Sequence, residues 1–251
     1  MWKTYNINEL DPRIIDVMIK RFPGQHVLLH ELIDNDHYIV KQFFKPCNIP
    51  LDVINEVIVK IKYPLTSNRQ PTDFHYFQAF RKWLWRCHKT FRNDFDFWQF
   101  ASETAWLKMG DCEDSSILTG AGLQNMKTPY YIVFGKVWHE GKLLGLHAWV
   151  VFEHEGSWKL AETTLDSPYY SYHELPSVDI THNRWPVGSL IYEGLVMFNK
   201  KELKEWVEGS KVGERLREYM LASHKEKENI KKYKEMNKVY KLFWNKKLKV
   251  G

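Results

Sequence analysis

The stretch Gly110-Asp111-Cys112-Glu113-Asp114-Ser115-Ser116 combines one cysteine with the features of a helix start. Asp111 is suited to be the N-cap, because its carboxylate can accept from the amides of the first helical turn. Asp114 is an acid in that turn, where a negative charge complements the helix dipole. A helix N-terminus also favours the thiolate form of a cysteine, which is the form that attacks carbonyl carbon. Apolar residues then predict one buried helical face: Ile117, Leu118, Ala121 and Leu123.

A base and an acid that could orient it follow further along the chain. Residues 146–153 and 158–164 read as two extended segments around a turn at Glu155-Gly156, which is a hairpin pattern. That turn places His147 opposite Thr164, and it places Glu162 diagonally from His147 on the same face of the hairpin. Asp166 has the same parity as Glu162, so parity leaves both acids open as the partner of His147.

Three ordered motifs resemble the transglutaminase-like superfamily of cysteine enzymes. They are the Gly-Asp-Cys segment that ends at Cys112, the His-Ala-Trp segment that starts at His147, and an acid two residues before Thr164. The resemblance covers roughly residues 95–170 and implies a papain-like core in which Cys112 is the nucleophile, His147 the base and Glu162 the orienting acid. Many members have Asp where this chain has Glu162, which keeps Asp166 as the alternative third member.

Two residues upstream of the cysteine are candidates for stabilising an oxyanion. The side-chain amide of Gln99 or the indole N–H of Trp98 could donate to it together with the Cys112 amide. Aromatic packing around the start of the helix is the alternative role for this segment.

Periodicity predicts an α+β fold with helices packed on an antiparallel sheet, and the resemblance implies that the cysteine helix packs against that sheet, as in papain-like folds. We divide the chain into a helical N-terminal region over 1–70, a transglutaminase-like catalytic core over 71–199, and a Lys-rich helical extension over 200–251. Helices are predicted over 12–22, over 25–44 with a break at 34–36, and over 50–61, 72–91, 201–207 and 214–244. Strands are predicted over 130–138 and 188–198, and residues 168–186 form a long connection.

Cysteine usage and the lack of a metal motif exclude several classes of protein. Three cysteines, Cys47, Cys87 and Cys112, have unrelated spacings, so we expect neither a disulfide framework nor a zinc site, but a reducing interior. No signal-peptide or transmembrane pattern is present, which favours a cytoplasmic location. We expect no metal and no cofactor, because neither a zinc-type motif nor a phosphate-binding loop occurs. His26, His30, Glu31 and the pair Cys87-His88 read as ordinary helix residues.

Positive charge is concentrated at the C-terminal end of the chain. The net charge is +5, and residues 200–251 contain 16 Lys and Arg against 8 Asp and Glu. A solvated helical face is the default interpretation of this segment. A docking surface for an acidic partner or nucleic acid, or a helix on a membrane surface, is the alternative.

Together these patterns predict a cysteine enzyme that transfers acyl groups from peptide or glutamine-type amide bonds of a protein or peptide substrate. Hydrolysis is favoured over transamidation, because water needs no second binding site. The opposing interpretation is a non-catalytic binding or structural module on a transglutaminase-like fold. A third is a protein that binds nucleic acid or another partner through residues 200–251, and such binding would weaken steeply with salt.

Overall fold

A computed structural model describes residues 1–6, 27–61, 98–208 and 214–215. Within these ranges the helices are α1 (Tyr38–Phe43), α2 (Pro50–Lys60), α3 (Ala101–Leu107) and α4 (Cys112–Asn125), with 3-10 turns at Leu29–Leu32 and Tyr172–Glu174. The strands are β1 (Trp2–Asn6), β2 (Tyr130–His139), β3 (Lys142–His154), β4 (Ser157–Ala161), β5 (Arg184–Val187), β6 (Leu190–Phe198) and β7 (Glu202–Trp206). The predicted helix over 50–61 and the predicted strands over 130–138 and 188–198 are confirmed to within two residues.

The described strands form one antiparallel sheet in the order β1-β7-β6-β2-β3-β4, and β5 pairs with β6 on the side. Helix α4 packs on β2 and β3 near the middle of that order, and it also contacts α1, α2 and α3. The described architecture is thus the predicted mixture of helices with an antiparallel sheet, while a papain-like core remains a prediction.

The hairpin of β3 and β4 has the register that the sequence predicts. Val150 pairs with Ala161 and His154 pairs with Ser157, so the turn contains only Glu155 and Gly156. Both turn residues have positive φ, 51° and 72°, which is the backbone shape that matches the twist of a two-residue hairpin. The ladder ends at Ala161, one residue before Glu162, so that side chain lies just beyond the last paired residue.

Helix α4 is buried around its whole circumference at the cysteine end, rather than on the single face expected from its sequence. Every residue from Cys112 to Leu123 is buried. Two glycines permit this close packing. A Cβ on Gly120 would lie 2.8 Å from Ile132 of β2, and one on Gly122 would lie 2.6 Å from Val53 of α2. Sheet and helices therefore enclose the helix that begins with the candidate nucleophile.

Two sequence predictions about the rest of the sheet are wrong. Residues 201–207 were predicted to be a short helix, but Glu202–Trp206 forms strand β7 between β6 and β1. Its alternating burial, with Leu203 and Glu205 inside, is the period of a strand, and cross-strand pairing overrides the helix propensity of its Lys and Glu residues. The predicted connection over 168–186 includes the start of β5, a short strand. Strand β5 pairs with β6 outside the main order of the sheet, and a proline such as Pro186 is tolerated in a strand at such an edge position.

The N-terminal region is only partly helical in the described residues. It contains α1, α2 and the 3-10 turn at Leu29–Leu32, with the predicted break at 34–36, but it starts with strand β1 in the sheet. The predicted helices over 12–22 and 72–91 and the basic helix over 214–244 fall essentially outside the described residues. The three-part division of the chain remains a prediction. Among the described helices, none has the length and apolarity needed to cross a membrane.

Candidate active site

Cys112 is the first residue of α4 and is 4% exposed. Its Sγ donates a hydrogen bond to Oε2 of Glu113 at 2.8 Å. Glu113 is itself 1% exposed, so this carboxylate faces the thiol in a poorly hydrated environment. A negative charge on Glu113 opposes conversion of this thiol to thiolate, whereas the helix dipole favours that conversion.

Asp114 binds the turn that leads into Cys112. Its Oδ1 accepts from the Gln99 backbone N–H at 2.9 Å, and its Oδ2 accepts from the Gln99 side-chain amide at 2.7 Å and from the Asp111 N–H at 3.2 Å. Gln99 Nε2 also donates to the Met109 carbonyl at 3.1 Å. A Cβ on Gly110 would lie 2.5 Å from the Cβ of Asp114, so only glycine fits this turn without displacement.

His147 lies on β3 opposite Gly135 of β2 and is 1% exposed. Its Nε2 is 2.7 Å from Oε2 of Glu162. Since Nε2 is engaged in this way, the other ring nitrogen, Nδ1, is the one that can exchange a proton with a nucleophile. Helix α4, which begins at Cys112, packs directly on the strand that carries His147.

Glu162 is fully buried, and hydrogen bonds engage both of its carboxylate oxygens. Oε1 accepts from the Thr164 backbone N–H at 3.0 Å and its hydroxyl at 2.7 Å, while Tyr192 donates to Oε2 at 3.3 Å. Burial raises the pKa of Glu162, but the charge of His147 and the bonds from His147 and Thr164 outweigh burial, so the pKa lies below the ordinary value of 4.5. The carboxylate is therefore ionised at neutral pH and suited to holding an imidazolium.

The backbone of Glu162 is held by a second set of contacts. Its N–H donates to the Tyr169 hydroxyl at 3.0 Å, and the same hydroxyl donates to the Glu162 carbonyl at 3.3 Å. Burial raises the pKa of Tyr169 well above 10.0, so its proton remains in place. Asn55 of α2 in turn bonds both the N–H and the C=O of Tyr169, each at 2.8 Å. A helix thereby fixes the segment that carries the acid.

Aromatic rings surround His147 on the sheet. Trp149, two residues along β3, lies nearly parallel to the imidazole with ring centroids 6.3 Å apart, and Tyr192 packs edge-on against Trp149 at 5.0 Å. Gly135 makes room for this arrangement, because a Cβ there would lie 2.6 Å from the Trp149 ring and 2.0 Å from the Glu193 carbonyl. These rings exclude water from the side of the His147–Glu162 pair.

The structure separates the predicted site residues into those it brings together and those it does not. His147 and Glu162 are in direct contact, and Ser116, one turn after Cys112, has its hydroxyl 3.5 Å from that of Thr163, the neighbour of Glu162. Asp166 is exposed. Both N–H groups of the Gln99 side chain are committed to Met109 and Asp114, so it cannot donate to an oxyanion in this arrangement.

Trp98, the other oxyanion candidate, is 1% exposed, and its ring packs edge-on against Phe134 with centroids 4.8 Å apart. That contact matches the packing role which the sequence left open for the segment 98–99. Donation to an oxyanion remains a prediction for its indole.

Several residues of the site were not found by sequence reasoning. Tyr169, Tyr192 and Asn55 come from three separate elements, and only the folded chain brings them to Glu162. Asp114 was recognised as a first-turn acid, but its bonds to residue 99 were not foreseen. A polar residue inside a segment that is otherwise buried is the one signal that could have identified Asp114 and Gln99 as partners.

No three His, Cys, Asp or Glu side chains among the described residues are grouped as a metal site would require. That finding covers His30, Glu31 and Cys47 but not His26, Cys87 and His88, which are outside the described residues. Independence from metals and cofactors stays an expectation.

No known protein family matches the chain, and no curated protein matches it. Among solved structures, the crystal structure of a candidate cysteine protease from Cytophaga hutchinsonii is similar, with 14% identity and a TM-score of 0.36. The similarity covers 84% of this chain and 65% of that one, so this chain spans less than two thirds of its length.

Proposed function

We propose that this protein is a cysteine-nucleophile acyl-transfer enzyme of transglutaminase-like type, built on a papain-like core. It cleaves peptide or glutamine-type amide bonds through a thioester, and water is the preferred acceptor. One observation carries this proposal: a buried histidine, held by a buried ionised carboxylate at 2.7 Å, lies on the strand against which a helix beginning with cysteine packs.

The reaction starts with transfer of the Cys112 proton to Nδ1 of His147. The thiolate attacks the amide carbon, a C–S bond forms, and the carbonyl oxygen becomes an oxyanion. Collapse of this intermediate breaks the C–N bond, and His147 returns the proton to the leaving amine. Water then attacks the thioester with His147 as base, which releases the acid and restores the thiol.

Glu162 stabilises the imidazolium that exists between the two proton transfers. Its two hydrogen bonds from Thr164 and one from Tyr192 fix the carboxylate, so the imidazole keeps one orientation. The thiol must also give its proton to His147 rather than share it with Glu113 before it can react. The backbone N–H of Cys112 and the indole of Trp98 are the proposed oxyanion donors.

The experiment that tests this function is a mass-spectrometric search for covalent change in candidate protein and peptide substrates. Loss of a peptide fragment would identify a peptidase, the mass gain of a deamidated glutamine an amidase, and a covalent adduct a transamidase. Cys112→Ala should abolish every such change. Cys47→Ala is the matched control, because burial, with Glu56 nearby, raises the pKa of Cys47 to about 11 and so disfavours its thiolate at neutral pH.

Labelling with iodoacetamide tests the nucleophile without a substrate. Cys112 should react faster than Cys47 and Cys87 at neutral pH, because Cys112 is the cysteine that the proposal pairs with a base, His147. Equal labelling of the three cysteines, or preferential labelling of Cys87, would argue against the proposed nucleophile.

A further inference from the structure

Side chains form hydrogen bonds with two backbone groups of the turn before Cys112. The Met109 carbonyl and the Asp111 N–H lie on the two sides of Gly110; Met109 and Gly110 are buried, and Asp111 is half-buried. A buried backbone group without a partner costs about 1–3 kcal/mol. Gln99 donates to the carbonyl and Asp114 accepts from the N–H, so the two side chains together satisfy this turn.

The same two residues are bound to each other twice. Asp114 accepts from the backbone N–H and from the side-chain amide of Gln99, at 2.9 Å and 2.7 Å. Segment 98–99 and the turn 109–111 are thereby joined across the start of α4, and Asp114 lies only two residues after Cys112. Gln99 is 4% exposed and Asp114 is 3% exposed, so water cannot readily replace these bonds.

We infer that Gln99 and Asp114 form a positioning pair that fixes the Cys112 turn against the segment carrying Trp98. The pair does not touch the reacting atoms. It sets where the thiol and the Cys112 amide lie relative to Trp98 and His147, and a displacement of about 1 Å in such a site can reduce turnover on the order of a hundredfold. This inference rests on the proposed function.

The donor and acceptor roles of the pair can be exchanged by mutation. Asp114→Asn places an N–H2 group against the Gln99 amide, and Gln99→Glu places a carboxyl against Asp114, so each single change sets like groups against each other. In the double variant, the new amide at position 114 can donate to the new carboxyl at position 99, so the bond between the two side chains is regained, whereas the bonds to the Met109 carbonyl and the Asp111 N–H are not. We expect kcat to fall about 10- to 100-fold in each single variant with little change in KM, and the double variant to lose less than the product of the two single losses, because only the bond between the two side chains is regained.

A loss of stability alone would not produce this result, and the other end of α4 provides the matched control. Asn125 donates to the Asn35 carbonyl and accepts from the Asn35 side chain, each at 3.0 Å. Asn125→Asp sets an acceptor against that carbonyl, so the melting temperature should fall, while kcat stays at the wild-type value. Equal losses of kcat in both variants would overturn the positioning role.

Amide hydrogen exchange separates a failure of this inference from a failure of the proposed function. Asp114→Asn should increase exchange at the Asp111 amide, which loses its acceptor, whether or not the protein has activity. The positioning role would be overturned by unchanged exchange at the Asp111 amide or by a wild-type kcat in both single variants. It would also be overturned if kcat in the double variant fell by the full product of the two single losses.

If the wild type turns over no substrate, the proposed function fails and the pair is judged by the iodoacetamide reaction of Cys112. An iodoacetamide rate that is altered at least about tenfold in Asp114→Asn, and altered in the double variant by less than the two single changes combined, would support the pair. An unaltered rate would overturn it.

Discussion

Glu162 and Glu113 are both buried, and each contacts a group of the proposed reaction, but they act on those groups in opposite directions. Glu162 lies 2.7 Å from His147 and favours the imidazolium. Glu113 lies 2.8 Å from the Cys112 sulfur and disfavours the thiolate. The sheet side of the site thus stabilises the ion that the reaction needs, whereas the helix side stabilises the uncharged thiol.

The difference between the two glutamates concerns where one proton resides. A carboxylate beside a histidine raises the share of the charged ring, and a carboxylate beside a thiol lowers the share of thiolate. With both present, Glu113 opposes the transfer of the thiol proton to the imidazole, and Glu162 assists it. The two carboxylates thus set how the proton is shared between Cys112 and His147, and a substrate that displaces Glu113 from the sulfur would shift the proton toward His147.

The largest expected effect comes from removing the charge on the sheet side. Glu162→Gln should lower kcat by about three to four orders of magnitude, because an amide cannot fix the tautomer or hold the imidazolium. Asp166→Asn is the matched control, since Asp166 is exposed, and it should keep kcat within about twofold of the wild type. Steady-state kinetics checks both variants. A large loss of kcat in Asp166→Asn with a nearly unchanged kcat in Glu162→Gln would show that Asp166 is the third member of the catalytic triad.

Removing the charge on the helix side should have a smaller effect of opposite sign. Glu113→Gln keeps the size of the side chain but removes the negative charge, so iodoacetamide should alkylate Cys112 about tenfold faster at a pH below neutrality. The measurement is the alkylation rate as a function of pH. Glu103→Gln, a change to an acid on helix α3, serves as the control and should leave the curve unchanged. A slower reaction in Glu113→Gln would mean that Glu113 assists the thiolate.

The His147–Glu162 pair should also affect how the stability of the protein depends on pH. Because the pKa of Glu162 in the folded protein lies below its ordinary value of 4.5, its contribution to stability is complete above that value. It is lost as the pH falls from about 4.5 through the lower folded pKa. Melting curves should show the gap between wild type and Glu162→Gln narrowing over this range. A gap that widens on acidification would contradict the lowered pKa.

The smallest expected effect is that of chelators. If Glu162 and Glu113 influence the proton shared by Cys112 and His147 and do not bind a metal ion, EDTA should leave turnover unchanged within error. A thiol reagent should abolish turnover. Loss of turnover with EDTA that zinc or calcium restores would show that a carboxylate of this site acts through a cation.

Local patterns in the sequence were sufficient to predict the parts of the site that lie close together in the chain. The two-residue turn at Glu155-Gly156 fixes the hairpin register, and that register places Glu162 near His147. The helix start at Cys112 was predictable from its capping residues. Strand β7 was not predictable, because its helix-forming composition is overridden by pairing with β1, which lies about two hundred residues away in the sequence.

The same reason explains why the environment of the site residues was only partly foreseen. The bond between Gln99 and Asp114 spans 15 residues, and the contact of Tyr192 with Glu162 spans 30. No local period marks such pairs. They follow from the packing of α4 against the sheet, and from the need of each buried polar atom for a partner.

The pairing of β1 with β7 has a consequence for how the chain is made. The Met1 amino group and the Val207 carbonyl, which interact at this end of the sheet, are 206 positions apart in the sequence. At about 5–20 residues per second, a ribosome needs roughly 10–40 s to synthesise the chain between them. During that interval β2, β3 and β4 have emerged and can already pair around His147, while β1 still lacks its partner strand β7. The pairing of the strands around His147 and the pairing of β1 with β7 are therefore separate events in the biogenesis of the protein.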